Sequence, residues 1–176
     1  GVFCLKKDRF QDVVWIGTDG QGVYLYSNPL YSIKSMVLSN YTEKIERPVR
    51  AIYLDDERTF WVGTKGNGIL KIYDYEFDKN ISDCRAEVLT TSNSALSSNA
   101  VYCFAKSHRN LLWIGDEEGL TYYSYREKRI KSIPIRIGNE DFKYIHDIYE
   151  TADSELWLAS VGMGVVKARI AGTPDN

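Results

Sequence analysis

One pattern of apolar, polar and glycine positions occurs four times along the chain and predicts its secondary structure. In each copy a tryptophan lies between two apolar residues, and a small residue and a glycine-containing turn follow. All four tryptophans of the chain stand at this position, at intervals of 44 to 52 residues: Trp15, Trp61, Trp113 and Trp157. A recurrence with a period in the forties indicates a repeat architecture.

Four strands, named A to D, are predicted within each copy. An apolar run upstream of the tryptophan predicts strand A, a polar cluster predicts a hairpin turn, and the tryptophan run is strand B. Glycines, which tolerate the positive φ of tight turns, lead into strand C. A weaker pattern predicts strand D at residues 31–38, 85–89 and 128–135. The last copy has no strand D, so fifteen strands are expected, and no stretch shows a helical period.

Strand B predicts how these sheets pack. The tryptophan and the small residue two positions later share one face, while the apolar residue between them lies on the other. A sheet that is apolar on both faces must be covered on both sides. We therefore predict an all-β, β-propeller fragment of about four four-stranded antiparallel blades, with strand A innermost and the last blade lacking its outer strand. The predicted blades are residues 1–46, 47–98, 99–142 and 143–176. A β-sandwich or a β-solenoid is the alternative, but neither is typical of this repeat.

Composition excludes several classes of function. The formal net charge of −2 offers no concentrated basic excess, so no nucleic-acid partner is expected in this segment. No apolar run approaches the roughly 20 residues of a membrane-spanning helix. Cys4, Cys84 and Cys103 have no CxxC spacing, which indicates buried thiols and not a zinc site or a disulfide framework. No cofactor and no metal are predicted, and the strand-like start suggests a piece of a longer protein.

One copy carries a family likeness most clearly. Residues 96–101, Leu-Ser-Ser-Asn-Ala-Val, are followed by a polar turn, by Leu-Trp-Ile-Gly at 112–115 and by Gly-Leu at 119–120. This pattern resembles the two-component regulator propeller repeat, and the likeness extends four times over nearly the whole chain. The chain departs from that repeat at Asp116, where threonine is usual, and at Ala159 and Ser160, which replace glycine and threonine.

The resemblance implies a sensor and not a catalyst. Proteins with this repeat are periplasmic sensor regions of hybrid two-component system histidine kinases in glycan-degrading Gram-negative bacteria. The expected function is recognition of a glycan-derived oligosaccharide outside the cytoplasm, by an inner-membrane protein that carries the remaining propeller blades and a histidine kinase elsewhere. None of the kinase, receiver or DNA-binding parts lies in this chain.

The candidate ligand-binding residues lie where the four copies differ. Loops on a rigid frame usually carry function, and in a propeller the B–C turns and the starts of strand A share one face. The candidates are Arg50, Lys65, Asn67, Tyr102, Glu117 and His146, and Phe3 occupies the first-blade position equivalent to Arg50, Tyr102 and His146. Arg50 could bind a carboxylate or sulfate of an acidic sugar through two hydrogen bonds. The rings of Tyr102 and Phe3 could stack on a sugar ring. His146 and Asn67 could form hydrogen bonds with hydroxyl groups. Packed or hydrated side chains and solvated turn charges are the alternative explanation.

Two other functions remain open from the sequence. A propeller lyase would use His146 with Asp147, Glu117 and Glu118, although strand alternation places His146 and Asp147 on opposite faces. A non-catalytic interaction or structural scaffold without a small ligand is the runner-up. The apolar surfaces of the end blades should also promote self-association, because large exposed patches of that kind usually mark a partner.

Overall fold

The computed structural model describes residues 1–27, 32–36, 47–76, 83–153 and 155–169. Within these ranges every regular element is a β-strand, and the neighbouring strands of each sheet are antiparallel. The same ranges contain no helix that is long and apolar enough to cross a membrane. Parts of the strand predicted at 31–38, and the end of the chain at 171–176, lie outside the described residues.

The first compact unit, Gly1–Leu89, contains two four-stranded sheets. Strands follow one another in space in chain order, as expected for propeller blades. Blade 1 consists of β1 (Val2–Lys7), β2 (Val13–Thr18), β3 (Val23–Ser27) and β4 (Ser32–Met36), and blade 2 of β5 (Val49–Leu54), β6 (Phe60–Thr64), β7 (Ile69–Ile72) and β8 (Ala86–Leu89).

The second compact unit, Thr90–Asn176, contains the other two blades. Blade 3 consists of β9 (Val101–Lys106), β10 (Leu111–Asp116), β11 (Leu120–Ser124) and β12 (Arg129–Ile133). A short hairpin, β13 (Arg136–Ile137) and β14 (Glu140–Asp141), precedes blade 4, which has β15 (Ile145–Glu150), β16 (Glu155–Ser160) and β17 (Gly164–Arg169). All fifteen predicted strands are present, and the fold class predicted from the sequence is confirmed. The sequence did not predict the short hairpin.

Blades 1 and 2 are held together through the tryptophan face of β2. Trp15 is fully buried, stacks on Phe60 with ring centroids 3.9 Å apart, and meets Tyr75 edge-on at 5.1 Å. Gly17, two residues after Trp15, lies where the next blade approaches. A Cβ atom there would come within 2.4 Å of Cys4 Sγ and 3.2 Å of Val49 Cγ1. The repeated tryptophan and glycine therefore form a docking surface for the following blade, as predicted.

Blades 3 and 4 are joined in the same way. Trp113 is fully buried in a core that also contains Leu156 and Leu158 of blade 4. A Cβ atom on Gly115 would come within 2.6 Å of the carbonyl oxygen of Ile145, at the start of the next inner strand. Blade 4 differs, because Trp157 is 42% exposed and Ala159 stands at the glycine position.

Carboxylates fix the buried indole rings. Trp15 Nε1 donates a 2.9 Å hydrogen bond to Asp8 Oδ2, and Trp61 Nε1 donates one of the same length to Asp55 Oδ2. Blade 3 has Ser107 at this turn position, and there Trp113 Nε1 donates to Glu150 Oε2 of blade 4 at 2.9 Å. The sequence indicated only that Asp8 and Asp55 form turns, so it missed their role in holding the tryptophans.

The three cysteines are free thiols. Cys84 is buried, while Cys4 and Cys103 are half-buried opposite Gly17 and Gly115 in the neighbouring strand. Burial raises the pKa of both the Cys4 and the Cys103 thiol above the ordinary value. These thiols thus act as small packing groups in the space that the two glycines leave open.

Candidate ligand-binding site

Each inner strand contains a β-bulge at its second residue. The pairing of the inner strand with the tryptophan strand skips one residue in every blade, at Phe3, Arg50, Tyr102 and His146. A bulged residue is left out of the strand pairing and its side chain is redirected, and bulges are therefore common beside binding sites. The four positions that the sequence identified as a variable lining are thus also the irregular positions of the backbone.

The bulges arise from the spacing of the core residues. In β5, Val49 and Ile52 lie in the same hydrophobic core although they are three residues apart, and Ile145 and Ile148 of β15 do likewise. Regular alternation would place residues three apart on opposite faces. Because the bulge adds one residue between them, both side chains face the core. The alternation argument that separated His146 from Asp147 in the lyase hypothesis does not hold through this bulge.

The turn between strands B and C is anchored next to the bulge in every blade. The first turn residue donates its backbone N–H to the carbonyl oxygen of the residue just before the inner strand. These hydrogen bonds join Asp19 to Gly1 (2.9 Å), Lys65 to Pro48 (2.9 Å), Glu117 to Ala100 (3.0 Å) and Val161 to Tyr144 (3.2 Å). Within each blade, the B–C turn and the start of the inner strand therefore lie side by side. We call this end of each blade the bulge end.

In the first unit the two bulged side chains stack on each other. The guanidinium carbon of Arg50 lies 3.8 Å from the ring centroid of Phe3, a cation–π arrangement. Arg50 is half-buried, and its Nε is a buried nitrogen without a hydrogen-bond partner. Phe3 therefore supports the cation of Arg50 on one side, while the Nε donor is unsatisfied.

In the second unit the equivalent pair also stacks. The rings of Tyr102 and His146 have centroids 4.2 Å apart and an interplanar angle of 20°. Tyr102 is half-buried and His146 is exposed. The structure therefore pairs Phe3 with Arg50 and Tyr102 with His146, and each pair forms a flat surface with polar atoms at its edge.

The three predicted turn residues differ in their surroundings. Lys65 is exposed, whereas Asn67 is half-buried, with its backbone N–H bonded to Thr64 Oγ1 at 2.9 Å and its Oδ1 buried without a partner. Glu117 accepts a 3.3 Å hydrogen bond from Ser98 Oγ through Oε2. Its neighbour Glu118 pairs with Lys143, and this hydrogen bond raises the pKa of the Lys143 ammonium. Glu117 and Glu118 thus have partners within the second unit.

Asp116, the departure from the expected threonine, organises the turn of blade 3. Its carboxylate accepts hydrogen bonds from Ser97 Oγ, from Thr121 Oγ1 and from the backbone N–H groups of Glu118 and Gly119. Burial raises the pKa of this carboxyl, although these four hydrogen bonds lower it. Local sequence patterns do not predict this network, because Ser97 and Asp116 are 19 positions apart in the chain.

The described residues do not assemble a metal centre. No group of three His, Cys, Asp or Glu side chains in the described ranges is placed to bind a metal ion. Asp147, a member of the hypothetical lyase set, accepts a hydrogen bond from the adjacent backbone N–H of Ile148 at 2.9 Å.

These features define a propeller-type repeat protein in which bulged side chains meet the B–C turns at one end of each blade. Among solved structures, the chain is similar to the extracellular domain of a protein named as a hybrid two-component system in B. thetaiotaomicron. The TM-score is 0.71, with 23% identity over 97% of this chain and 22% of that one. It is also similar to PorZ of Porphyromonas gingivalis, a surface component of the type-IX secretion system, at TM-score 0.68 and 14% identity over 96% of this chain and 26% of that one.

The same fold occurs in an enzyme. The structure of streptogramin B lyase has a TM-score of 0.64 and 11% identity to this chain, covering 97% of this chain and 55% of the lyase. A sensor domain, a secretion component and a lyase therefore share the architecture. At these identities the likeness establishes the fold, and the function must be inferred from the site.

Sequence comparison gives a different relative. The chain is 31% identical over 140 residues to translation initiation factor 6 of Saccharolobus solfataricus, covering 72% of this chain and 57% of that protein. No protein-family model matches the chain. The chain thus spans little more than half of this relative and about a quarter or less of the first two structural neighbours.

Proposed function

We propose that the chain is a ligand-sensing propeller segment from the extracytoplasmic region of a hybrid two-component sensor, and that its ligand is a glycan-derived oligosaccharide. The similarity of almost the whole chain to an extracellular domain of such a system supports this proposal. The resemblance of its four repeats to the two-component regulator propeller repeat also supports it. A periplasmic location, and a histidine kinase elsewhere in the longer protein, belong to the same proposal.

The observation that carries the proposal is the stacked pair of side chains at the bulge end of each unit. Flat rings offer an apolar face to the C–H surface of a sugar, and polar edges can bind its hydroxyl groups. Tyr102 and His146 provide two such rings in parallel, and Arg50 lies on Phe3 in the same way. Because bulges create both pairs, the backbone itself presents these side chains.

A scaffold without a small ligand and a lyase are the competing functions. PorZ and streptogramin B lyase show that other proteins use this architecture for other purposes. The Glu117, Glu118 and Asp147 carboxylates, which a lyase would need, already accept hydrogen bonds or pair with Lys143. We therefore favour binding over catalysis in this segment.

A thermal-shift screen against glycan oligosaccharides tests the proposal. A ligand present at one hundred times its dissociation constant stabilises the folded state by about 2.7 kcal/mol, which raises the Tm by several degrees. We expect at least one oligosaccharide to produce such a shift. When each variant is compared with its own ligand-free Tm, Arg50→Ala should abolish the shift of a ligand bound by the first unit, and Tyr102→Ala that of a ligand bound by the second.

His108→Ala is the matched control, because His108 is exposed in the turn between β9 and β10, away from the bulge end. This variant should keep the full shift. A shift that survives both Tyr102→Ala and Arg50→Ala would remove the proposed site. The absence of a shift with every oligosaccharide would favour the scaffold function.

We also propose that another blade of the same repeat covers the exposed tryptophan face of blade 4. Tyr149, Trp157 and Lys167 lie side by side across the three strands of this face, and the two aromatic residues are exposed. The equivalent row in blade 2 consists of Tyr53, Trp61 and Lys71, and all three of these residues are buried. In the longer protein the covering blade would be one of the remaining propeller blades, and for the chain alone it would be a second copy.

Light scattering as a function of concentration tests this pairing. The wild-type chain should show a mass that rises above that of a monomer, and Trp157→Ser should lower the association constant at least tenfold. His108→Ala, which changes an exposed residue in the turn between β9 and β10, is the control and should associate like the wild type. A monomer at all concentrations, or association that Trp157→Ser leaves unchanged, would contradict the proposal.

A further inference from the structure

We propose that the bulge end of blade 2 is a subsite for an anionic sugar, with Arg50 binding its carboxylate or sulfate oxygens and Asn67 binding an adjacent hydroxyl group. This inference rests on the proposed function and specifies the ligand class at one of its blades. Two unsatisfied polar atoms of opposite character, one donor and one acceptor, identify the subsite.

The donor is Arg50 Nε, which is buried and has no hydrogen-bond partner. A buried polar group without a partner is costly, and in native proteins such groups require an explanation. The guanidinium carbon lies over the Phe3 ring, 3.8 Å from its centroid, so the ring supports the cation on one side. A planar guanidinium with donors at its edge matches the paired oxygens of a carboxylate or sulfate.

The acceptor is Asn67 Oδ1, which is also buried without a partner. The backbone of Asn67 is fixed, because its N–H bonds Thr64 Oγ1 and both neighbours, Gly66 and Gly68, have positive φ values of 119° and 74°. A carbonyl oxygen cannot bind an anion, but it accepts a hydrogen bond from a hydroxyl group. The ligand must therefore contribute an O–H donor as well as an oxyanion.

Both atoms belong to the bulge end of the same sheet. Thr64 pairs with Val49, the residue before Arg50, and Asn67 follows Thr64 by three positions in the turn. The hydrogen bond from Lys65 N to the Pro48 carbonyl holds this turn against the start of the inner strand. A small ligand with neighbouring charged and hydroxyl groups, such as a uronic acid or a sulfated sugar, has the matching functional groups.

The local charge favours an anion in blade 2 specifically. The side chain of Arg47 lies against Gly66, with its Cγ 3.6 Å from the position of a Cβ there, and Lys65 is exposed beside it. Arg47, Arg50 and Lys65 thus bring three positive charges to this turn in a chain of net charge −2. The equivalent turn of blade 3 carries Glu117 and Glu118 instead.

Titration calorimetry with acidic sugars and their neutral counterparts tests the subsite on the full chain. The probes are trigalacturonate and its methyl ester, cellobiouronic acid and cellobiose, and a sulfated galactose disaccharide and its desulfated form. We expect at least one acidic probe to bind at least tenfold more tightly than its neutral counterpart, with a ratio that falls as NaCl is raised. The carboxylate and sulfate pairs distinguish the two sources of the oxyanion.

Substitutions at Arg50 and Asn67 test which residue provides the preference for acidic sugars. Arg50→Gln should reduce the acidic-to-neutral affinity ratio to near one, and Asn67→Ala should weaken acidic and neutral probes alike by roughly threefold to tenfold. Arg85→Gln is the matched control, because Arg85 stacks on Tyr73 at 3.9 Å in the same blade, next to the outer strand β8. It should leave the ratio unchanged.

The outcomes separate this inference from the proposed function. Neutral and acidic probes that bind equally well, or a ratio that Arg50→Gln leaves intact, would overturn the anionic subsite while the sensor proposal stands. Binding of no sugar of either kind would contradict the proposed function and the subsite with it.

Discussion

Gly115→Ala is expected to lower the free energy of unfolding by about 2–4 kcal/mol, more than any other conservative change in the repeat. The added Cβ would lie 2.6 Å from the Ile145 carbonyl oxygen and 2.4 Å from Cys103 Sγ. Because one obstacle is backbone of the next blade, the two sheets must move apart to admit a methyl group. Urea unfolding, followed by tryptophan fluorescence, measures the loss.

Gly17→Ala is a matched comparison in which a second substitution should restore the lost stability. Its added Cβ would meet Cys4 Sγ at 2.4 Å and Val49 Cγ1 at 3.2 Å, both side-chain atoms. Cys4→Ala should therefore restore most of the stability that Gly17→Ala removes, whereas Cys103→Ala should restore little to Gly115→Ala. A Gly115→Ala variant as stable as the wild type, or one that Cys103→Ala fully restores, would contradict this packing.

Asp55→Ala is expected to lower the free energy of unfolding by about 2–4 kcal/mol, because three N–H donors lose the carboxylate that accepts their hydrogen bonds. Asp55 is buried and accepts hydrogen bonds from Trp61 Nε1 (2.9 Å), from the backbone N–H of Thr59 (2.8 Å) and from that of Glu57 (2.9 Å). Without the carboxylate, the indole N–H of a fully buried tryptophan has lost its partner. Urea unfolding again measures the change, together with the maximum of the summed fluorescence of the four tryptophans.

Ser107→Ala is the control for Asp55→Ala. Ser107 is also buried and occupies the equivalent turn of blade 3. Its hydroxyl accepts a hydrogen bond from the Arg109 backbone N–H, while Glu150 holds Trp113. The serine change should cost about 0.5–1.5 kcal/mol. Equal losses for the two variants would show that the turn, and not the bond to the indole, explains the stability.

The strands and their packing could be predicted because they depend on local patterns. The repeated tryptophan, the small residue two positions later and the glycine turn determine strands B and C and the face that meets the next blade. The packing of Trp15 on Phe60 and the tight fit at Gly17 and Gly115 confirm this reasoning. The short hairpin β13–β14 was missed because its two-residue strands are too short for a period.

The candidate site could be located in part. The sequence identified Phe3, Arg50, Tyr102 and His146 as equivalent variable positions, but it did not predict their bulges. The signal was present, since Val49 and Ile52 are both apolar and three residues apart, a spacing that regular alternation cannot bury on one side. The pairing of Arg50 with Phe3 and of Tyr102 with His146 requires the three-dimensional approach of successive blades.

Contacts between blades were beyond the reach of sequence patterns. Glu150 replaces the carboxylate that blade 3 lacks, although it lies 37 positions from Trp113 and in the next blade. The network of Asp116 with Ser97 and Thr121 likewise joins three segments of the chain. Nothing in the local composition distinguishes these residues from solvated acids and hydroxyls, because their partners become neighbours only in the folded chain.

The central claim is that the bulge ends of the blades bind the ligand. NMR chemical-shift mapping of the isotope-labelled chain with the strongest oligosaccharide from the screen tests this claim most directly. We expect the large shifts at Phe3 and Arg50 or at Tyr102 and His146, together with the B–C turns of the same unit, and small shifts around His108 and Asp55. Large shifts confined to the turns that contain His108 and Asp55, at the other end of the blades, would contradict the account.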